Sequence, residues 1–148
     1  FLEYVQQDQS TFSNALLDAA WDDSSPYTDD RYEQELLGIA AGSGVDYMSL
    51  RRVHCSTLVD SFSCSSIAAW DTATADGHLY QTRDLDWDID AGAHDYPVIV
   101  LYLPEAGHSH ANLSFAGLCG SHTGLSTKGI ALAEMGDSPS AEKPYDLK

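Results

Sequence analysis

The feature that most constrains this chain is a pair of strand-like segments separated by Asp76-Gly77. Residues from Cys64 to Trp70 and from His78 to Thr82 are rich in β-branched, aromatic and small side chains. An Asp-Gly pair between two such segments is a strong signal for a β-hairpin. The sequence therefore predicts a hairpin whose second strand returns beside Cys64.

Arg83 follows the second predicted strand and is the only arginine after Cys64. A guanidinium close to a thiol favours the thiolate by Coulomb attraction, and the thiolate is the form that attacks carbonyl groups. This pattern indicates a nucleophilic cysteine. The alternative is structural, since Arg83 could instead form an ion pair with Asp84 or Asp86.

The same residues resemble a known family. The segments Cys64-Ser65-Ser66-Ile67, Asp76-Gly77-His78-Leu79 and Arg83-Asp84-Leu85-Asp86 look like the start of the mature chain in acid ceramidase and its N-acylethanolamine-hydrolysing relative. Those enzymes group with choloylglycine hydrolases, penicillin V acylase and isopenicillin N acyltransferase, all of them N-terminal-nucleophile (Ntn) hydrolases. Arg83 and Asp86 match the family pattern Arg-Asn-x-Asp, whereas Asp84 replaces its Asn.

Two further segments resemble the same family. The segment from Glu33 to Val45 is similar to the Glu-x-x-Gly-Ile-Ala-x-Gly-x-Gly propeptide of bacterial acyltransferase-like members. The segment from Gly124 to Leu132 is similar to the family's Gly-Met-Asn-Glu-Lys-Gly-Leu hairpin, with Ser126 where Asn is common. The order and spacing of the three segments carry the resemblance.

The resemblance implies an α+β protein with the αββα sandwich of the Ntn hydrolases, formed by antiparallel sheets after an N-terminal helical prosegment. It implies two units, a propeptide over residues 1–63 and the start of the mature nucleophile chain over residues 64–148. The chain after Cys64 is short for that sandwich, so we expect it to be incomplete within these 148 residues. The segment from Ser138 to Pro144 is typical of a loop.

The resemblance also implies an autoproteolytic cysteine enzyme. Cys64 would attack the carbonyl group of Ser63, cut the Ser63–Cys64 bond and release its own α-amine as a general base. Asp86 would hold that amine, and the oxyanion would be met by Ser126, a backbone amide or an Asn outside the sequence, with Asp84 as a further contact. The substrate would be a small N-acyl linear amide, with hydrolysis favoured over acyl transfer. No cofactor or metal is implied; the propeptide would stay bound as a non-covalent chain, and a homo-oligomer is a further option.

Apolar periodicity predicts the remaining elements. The segments from Leu2 to Ala20 and from Asp29 to Ala41 have the spacing of amphipathic helices, and Asp22 to Pro26 between them is typical of a turn or linker. Further strands are expected at three places, Pro97 to Leu103, Ala111 to Ala116 and Gly129 to Glu134. No apolar segment approaches the length of about 18 residues that a membrane-spanning helix needs.

The charge of the chain excludes several classes of partner. There are 7 basic and 23 acidic residues, which give a net charge of −16. Long-range repulsion disfavours nucleic acid, anionic membrane surfaces and polyanionic substrates. The acidity fits an extracellular, periplasmic or lysosome-like compartment more simply than the cytoplasm, and more simply than a role in recognition.

The cysteines Cys55, Cys64 and Cys119 do not form a paired framework, so at most one disulfide could form. A disulfide that included Cys64 would remove the nucleophile. Cys55 and Cys119 are expected to be small buried hydrophobic residues. Asn112-Leu113-Ser114 is a formal glycosylation sequon, which would matter only in a secreted eukaryotic protein.

Other interpretations come from different classes. An ordinary cysteine peptidase would pair His78 with Cys64, but the surrounding sequence does not resemble a helix-borne nucleophile. The alternating aspartates from Asp84 to Asp90 could bind Ca²⁺, although the Gly and Glu of an EF-hand loop are missing. His108 and His110 could bind a metal ion only with a third ligand. A catalytically silent member of the fold that binds a ligand or partner is the remaining alternative.

Overall fold

The computed structural model of the chain describes residues 1–60 and 63–136. In this part of the chain helices come first and strands follow, so the protein is an α+β protein with antiparallel sheets, as predicted. The helices are α1 (Leu2–Gln7), α2 (Asn14–Ser24), α3 (Asp30–Ser43) and α4 (Tyr47–Val59). The strands are β1 (Ser63–Asp71), β2 (Gly77–Asp86), β3 (Pro97–Tyr102), β4 (His110–Phe115), β5 (Thr123–Ser126) and β6 (Ala131–Ala133). The loop predicted from Ser138 to Pro144 lies outside the described residues.

The helical half contains a break that was not predicted. The single helix expected from Leu2 to Ala20 is wrong, because α1 and α2 are separate. The Asp8 carboxylate accepts a hydrogen bond from the Thr11 N–H at 3.2 Å, and Ser13 caps α2 by accepting one from the Leu16 N–H at 3.3 Å. Side chains that bond to nearby backbone in this way compete with helix formation.

The predicted turn after the first helix is partly wrong, and the second predicted helix is confirmed. The turn expected over Asp22 to Pro26 is wrong in its first half, since the first three of these residues belong to α2 and a short 3-10 turn, Ser25–Tyr27, follows. The second helix is confirmed as α3, with Asp29 as its N-cap. It ends at Gly44, which has the left-handed conformation with φ of 75° that glycine adopts most readily.

Helix α4 was not predicted, and it forms the centre of the helical core. Asp46 caps its N-terminus by accepting a hydrogen bond from the Ser49 N–H at 3.0 Å. The core around α2 and α4 buries the side chains of Val5, Phe12, Leu17, Ala20, Val53, Cys55 and Leu118. Because Leu118 comes from the strand half, apolar burial joins the two halves of the chain. None of the described helices has the length and apolarity needed to cross a bilayer.

One carboxylate in the helical half pairs with two arginines. Asp18 of α2 accepts hydrogen bonds from Arg52 Nη2 at 2.7 Å and from Arg51 Nη2 at 3.0 Å. The hydrogen bond from Arg52, with that from Arg51, lowers the pKa of Asp18 to about 2 against the opposing effect of desolvation. Arg51 also lies 5.3 Å from the centre of the Trp21 ring. Ion pairs therefore join α2 to α4 in addition to apolar packing.

The strands form two separate antiparallel sheets. β1 and β2 make the predicted hairpin, and the second sheet has the order β3-β4-β5-β6. The three further predicted strands are confirmed as β3, β4 and β6, with ends shifted by one or two residues. Strand β5 was not predicted, and it pairs between β4 and β6.

The two faces of the four-stranded sheet have different surroundings. On one face Tyr102 donates a hydrogen bond of 2.5 Å to Glu35 of α3. Beside it, the Cys119 N–H donates a hydrogen bond of 2.8 Å to Nε2 of His54 on α4. The opposite face has exposed apolar side chains, Ile99, Leu101, Leu113 and Leu125. This face is therefore not covered by the described residues.

Candidate active site on the first hairpin

The register of the hairpin fixes which side chains share a face. Cys64 lies opposite Leu85, and Ser66 lies opposite Arg83. Alternate residues of a strand point to the same face, so these four side chains lie on one side of the hairpin. Cys64 and Arg83 are diagonal neighbours across the strand pair, a separation that a long side chain can span.

The turn of the hairpin lies at the end remote from Cys64. Residues 72–76 connect the strands, and Gly77 begins β2 with φ of 74°. Asp76 accepts hydrogen bonds from the His78 N–H at 3.1 Å and from the Tyr80 hydroxyl at 2.7 Å. His78 is therefore at the opposite end of the hairpin from Cys64. The structure does not bring together the two residues of the alternative peptidase dyad.

Arg83 contacts Cys64 directly. Its Nη2 donates a hydrogen bond to Cys64 Sγ at 3.1 Å. The Arg83 side chain is only 6% exposed, so its charge is poorly screened by water. The alternative ion pairs of Arg83 with Asp84 or Asp86 do not occur within the described residues, because both carboxylates are on the opposite face of the hairpin.

Glu134, which follows β6, is a residue of the site that the sequence analysis missed. Its Oε2 lies 2.9 Å from Arg83 Nη2, and its backbone carbonyl accepts a hydrogen bond from Arg83 Nε at 3.1 Å. The sequence offered one signal for this ion pair, the position of Glu134 at the end of a predicted strand. The chain has few cations, so few partners are available to each acidic residue. Arg83 therefore bridges a carboxylate and a thiol.

A cavity of about 440 Å³ lies next to Arg83. Its lining is mostly apolar and includes Leu85, Pro97, Val98, Ile99, Leu113 and Phe115, with His122 among the polar groups. Desolvation, and then the charge of Arg83, lower the pKa of His122. The Ser114 hydroxyl lies 3.5 Å from His122 Nδ1. The cavity thus offers apolar walls and a neutral imidazole beside the guanidinium.

The other acidic residues assigned from the resemblance, Asp84 and Asp86, make no hydrogen bond with Cys64 among the described residues. Asp86 lies opposite Ser63 and Asp84 lies opposite Ser65, on the exposed face of the hairpin. This register nevertheless places Asp86 next to the backbone bond between Ser63 and Cys64.

Ser126 ends β5 and does not line the cavity beside Arg83. Its hydroxyl accepts a hydrogen bond from the Lys128 N–H at 3.3 Å, within a local turn. It lines another cavity, with His108 and His110. The structure therefore does not bring Ser126 together with Cys64 and Arg83.

The three cysteines are free and differ in their surroundings. Desolvation raises the pKa of Cys55 to about 11. Desolvation, with the charge of Glu35, raises the pKa of Cys119 to about 12. Both side chains are therefore held as thiols at neutral pH. The expectation of a small buried residue is confirmed for Cys55, whereas Cys119 is only half-buried. Among the described residues, Cys64 has the sulfur that accepts a hydrogen bond from a guanidinium.

The metal-binding alternatives gain no support from side-chain placement. Within residues 1–60 and 63–136, no three His, Cys, Asp or Glu side chains converge in a way that could hold a metal ion. His110 Nδ1 bonds to the backbone carbonyl of His108 at 3.0 Å, and its ring stacks on Tyr102. His110 thus has local partners within the sheet.

The fold and the site together define an α+β protein with a cysteine–arginine pair on its first hairpin. It is similar to "Protein dcd1B" of Dictyostelium discoideum, with 34% identity over 117 residues, 78% of this chain and 23% of that protein. "Protein dcd1A" of the same organism is 34% identical over 119 residues, which cover 74% of this chain and 27% of that protein. The chain spans about a quarter of the length of these curated relatives. No protein-family model and no solved structure matches it.

Proposed function

We propose that the chain belongs to the precursor of an Ntn-type cysteine amidohydrolase or acyltransferase, with Cys64 as nucleophile. The observation that carries this proposal is the hydrogen bond of 3.1 Å from Arg83 to the Cys64 sulfur. A desolvated guanidinium at this distance stabilises negative charge on sulfur, and the thiolate is the attacking form of cysteine. The finer assignment to an αββα sandwich rests on the sequence resemblance.

Self-cleavage would be the first reaction. The Cys64 sulfur attacks the Ser63 carbonyl carbon, the bond from this carbon to the Cys64 nitrogen breaks, and a thioester forms while the nitrogen takes up a proton. Water then hydrolyses the thioester and leaves a Ser63 carboxylate and a Cys64 with free thiol and α-amine. An α-amine has a pKa near about 8, so it can take the thiol proton and later return it to a leaving amine.

Asp86 would hold this new amine. Asp86 lies opposite Ser63 in the register, beside the bond that would be cut. Removal of the bond between Ser63 and Cys64 would leave a positive charge next to this carboxylate. Opposite charges at the end of a strand pair attract one another, which would keep the amine near the sulfur.

The substrate would be a small N-acyl linear amide. The apolar cavity of about 440 Å³ beside Arg83 could receive the acyl group, which would form a thioester with Cys64. Water as acceptor gives hydrolysis, and a bound amine gives acyl transfer. We favour hydrolysis because no carboxylate that could hold an amine is among the described residues that line this cavity. The chemistry requires no cofactor.

Intact mass and N-terminal sequencing of the full-length protein test the proposal. After incubation at neutral pH with reductant, the wild type should yield a new chain that begins Cys-Ser-Ser-Ile, and Cys64→Ala should stay whole. The matched control Cys119→Ala, at another free cysteine, should be cut like the wild type. A folded wild type that stays whole would overturn self-activation and favour a catalytically silent, ligand-binding protein.

A screen of N-acyl amides would follow for the cleaved protein. Each amide is offered with and without an added amine acceptor, and both the free acid and the transferred product are measured. Release of the free acid alone would establish hydrolysis. Release of neither product by a fully cleaved protein would contradict the proposed substrate class.

A further inference from the structure

Two further cavities, apart from the one beside Arg83, lie on the helix-facing side of the four-stranded sheet. One has a volume of about 750 Å³ and the other about 310 Å³, and Asn112 lines both. Sites for small molecules commonly have volumes of roughly 300–1,000 Å³. Neither Cys64 nor Arg83 lines either cavity. We call this pair the Asn112 cavity, and nothing in the proposed reaction uses it.

Asn112 is a buried residue whose carboxamide makes no hydrogen bond among the described residues. The residue is 6% exposed, and its side chain makes no hydrogen bond within the described part of the chain. A carboxamide offers an acceptor oxygen and two donor hydrogens. The amide atoms of Asn112 are not among the fully buried unpaired atoms of the described residues, so they stay open to the two cavities that Asn112 lines and can pair with a ligand there. In the folded chain Asn112, the first residue of the formal sequon, is buried.

A second polar group in the same place also lacks a partner. The Ser121 hydroxyl oxygen is buried without a hydrogen-bond partner among the described residues, and Ser121 lines the larger cavity. Gly124 lies between the two groups, since a Cβ built on it would be 2.5 Å from Ser121 Oγ and 3.1 Å from Asn112 Oδ1. The absence of a side chain at Gly124 therefore leaves room for both polar groups.

The surroundings determine which ligand would fit. The charged groups that line the larger cavity are already engaged, because Glu35 accepts the Tyr102 hydroxyl hydrogen bond and Arg31 is paired with Asp29. An anionic ligand would also meet a chain with a net charge of −16. The remaining walls include the stacked rings of Tyr102 and His110, together with Leu101, Leu103, Pro104 and Leu132.

We propose that the Asn112 cavity binds a small uncharged molecule through an amide group, with Asn112 and Ser121 as its hydrogen-bonding residues. The carboxamide of Asn112 can donate to the ligand's carbonyl and accept from its N–H, and the Ser121 hydroxyl can complete the set. The apolar substituent of the ligand contacts the ring and leucine walls. This site is separate from the Cys64 reaction and does not depend on it.

Solution NMR with N-methylacetamide as the probe tests the site. The full-length chain is labelled with ¹⁵N and contains Cys64→Ala, so that the result is independent of self-cleavage. We expect saturable shifts of the Asn112 side-chain NH₂ signals and of the Ser121 and Gly124 amides, with a dissociation constant in the millimolar range for so small a probe. Acetate and methylammonium, which have similar size but carry charge, should leave these signals unchanged.

Variants link the shifts to the named groups. Asn112→Ala should abolish the saturable shifts, and Gly124→Ala should do the same because its methyl group would occupy the space between the two polar groups. The matched control Gly38→Ala should keep them, since a Cβ there has nothing within 4 Å. Ser121→Ala removes a hydroxyl without a partner, so it should fold normally while binding is weakened about five- to tenfold, the effect of one lost hydrogen bond.

Three results would overturn the proposal. The first is shifts that do not saturate or that spread evenly over the surface. The second is binding by Ser121→Ala that equals binding by the parent chain. The third is equal binding of acetate or methylammonium, which would exclude selection for an uncharged amide. The Ser121→Ala result decides the matter even if the variants at Asn112 and Gly124 do not fold.

Discussion

Glu134 holds Arg83 at two points, through Oε2 to Nη2 at 2.9 Å and through its backbone carbonyl to Nε at 3.1 Å. The same Nη2 contacts the Cys64 sulfur. Glu134 therefore determines where the guanidinium lies relative to the thiol. The candidate site consists of three residues from three strands or strand ends, and the hairpin alone does not complete it.

Glu134→Gln tests this positioning. The variant keeps the size of the side chain and the backbone contact but removes the negative charge that holds Arg83 Nη2. We expect self-cleavage to slow by roughly tenfold, the effect of losing one charge-assisted hydrogen bond. The rate is measured by intact mass over time, beside the control Glu105→Gln at an exposed loop position. An unchanged rate in Glu134→Gln would contradict the positioning role.

Arg83→Lys tests whether the planar guanidinium is needed. A lysine presents one compact ammonium group and cannot reproduce the contacts to Glu134 and Cys64 with a fixed fork of donors. We expect self-cleavage to fall by roughly 100-fold or more. Arg31→Lys, at an exposed ion pair, is the matched control and should behave like the wild type. Equal rates in both variants would mean that positive charge alone is sufficient.

Asp18→Asn tests the ion pairs between α2 and α4. The variant leaves Arg51 and Arg52 without their carboxylate, although both guanidinium groups are largely shielded from solvent. We expect the free energy of unfolding to fall by roughly 1–3 kcal/mol, toward the lower end because Asp18 is partly solvent-screened. Urea denaturation of the full-length Cys64→Ala protein measures this.

The control for that experiment is Asp29→Asn. Asp29 forms an exposed ion pair with Arg31 and caps α3, and Asn caps a helix about as well as Asp. Its effect should therefore be small. Equal losses of unfolding free energy in the two variants would show that the ion pairs of Asp18 stabilise the fold no more than an exposed ion pair does.

Stability should depend on pH through His54 and His122. Desolvation lowers the pKa of both imidazoles below the ordinary value of 6.5, with the charge of Arg83 adding to the effect at His122. Below that value the unfolded chain binds more protons than the folded chain, so falling pH favours unfolding. This contribution is fully present above about pH 6.5 and is lost as pH falls toward the lowered pKa values of the folded state.

Urea midpoints of the Cys64→Ala protein across this pH range measure the effect. His54→Gln should have a shallower dependence on pH, because its side chain cannot take up a proton. His108→Gln, at an exposed loop position, is the control and should keep the slope of the parent chain. A slope in His54→Gln as steep as that of the control would show that His54 is not the group responsible.

The helical half should stay bound after self-cleavage. Besides the apolar core, hydrogen bonds among the described residues cross from the part before Cys64 to the part after it, including Tyr4 to Asp88, Tyr102 to Glu35 and Cys119 to His54. We expect the two chains to elute together in gel filtration and to separate only in denaturant. Separation under native conditions would contradict the prediction.

The hairpin and the Cys64–Arg83 contact could be predicted because the information is local. Strand-forming residues on both sides of Asp76-Gly77 set the pairing, and the register then places the arginine diagonally from the cysteine. The contact with Glu134 was not predictable in this way. Arg83 and Glu134 are 51 residues apart, and their contact joins the hairpin to the end of a strand in a separate sheet.

Helix α4 was missed because its buried face is weakly apolar. Two of its buried positions are Cys55 and Ser56, and Ser56 satisfies its hydroxyl by donating to the Val53 carbonyl at 2.7 Å. Two adjacent arginines, Arg51 and Arg52, further obscure the apolar periodicity, although both pair with Asp18 in the fold. The hydrophobic pattern predicts such a helix poorly, because part of its buried face consists of polar side chains that find partners only in the folded protein.

The pairing of the arginines affects how the stability of this protein depends on salt concentration. All four arginines of the sequence lie in the described part, and each is bound to a carboxylate of Asp29, Asp18 or Glu134. The numerous remaining acids repel one another with few cations nearby. Dissolved salt shortens the range of that repulsion to about 10 Å at 0.1 M. We therefore expect added salt to raise the free energy of unfolding and dilution into pure water to lower it.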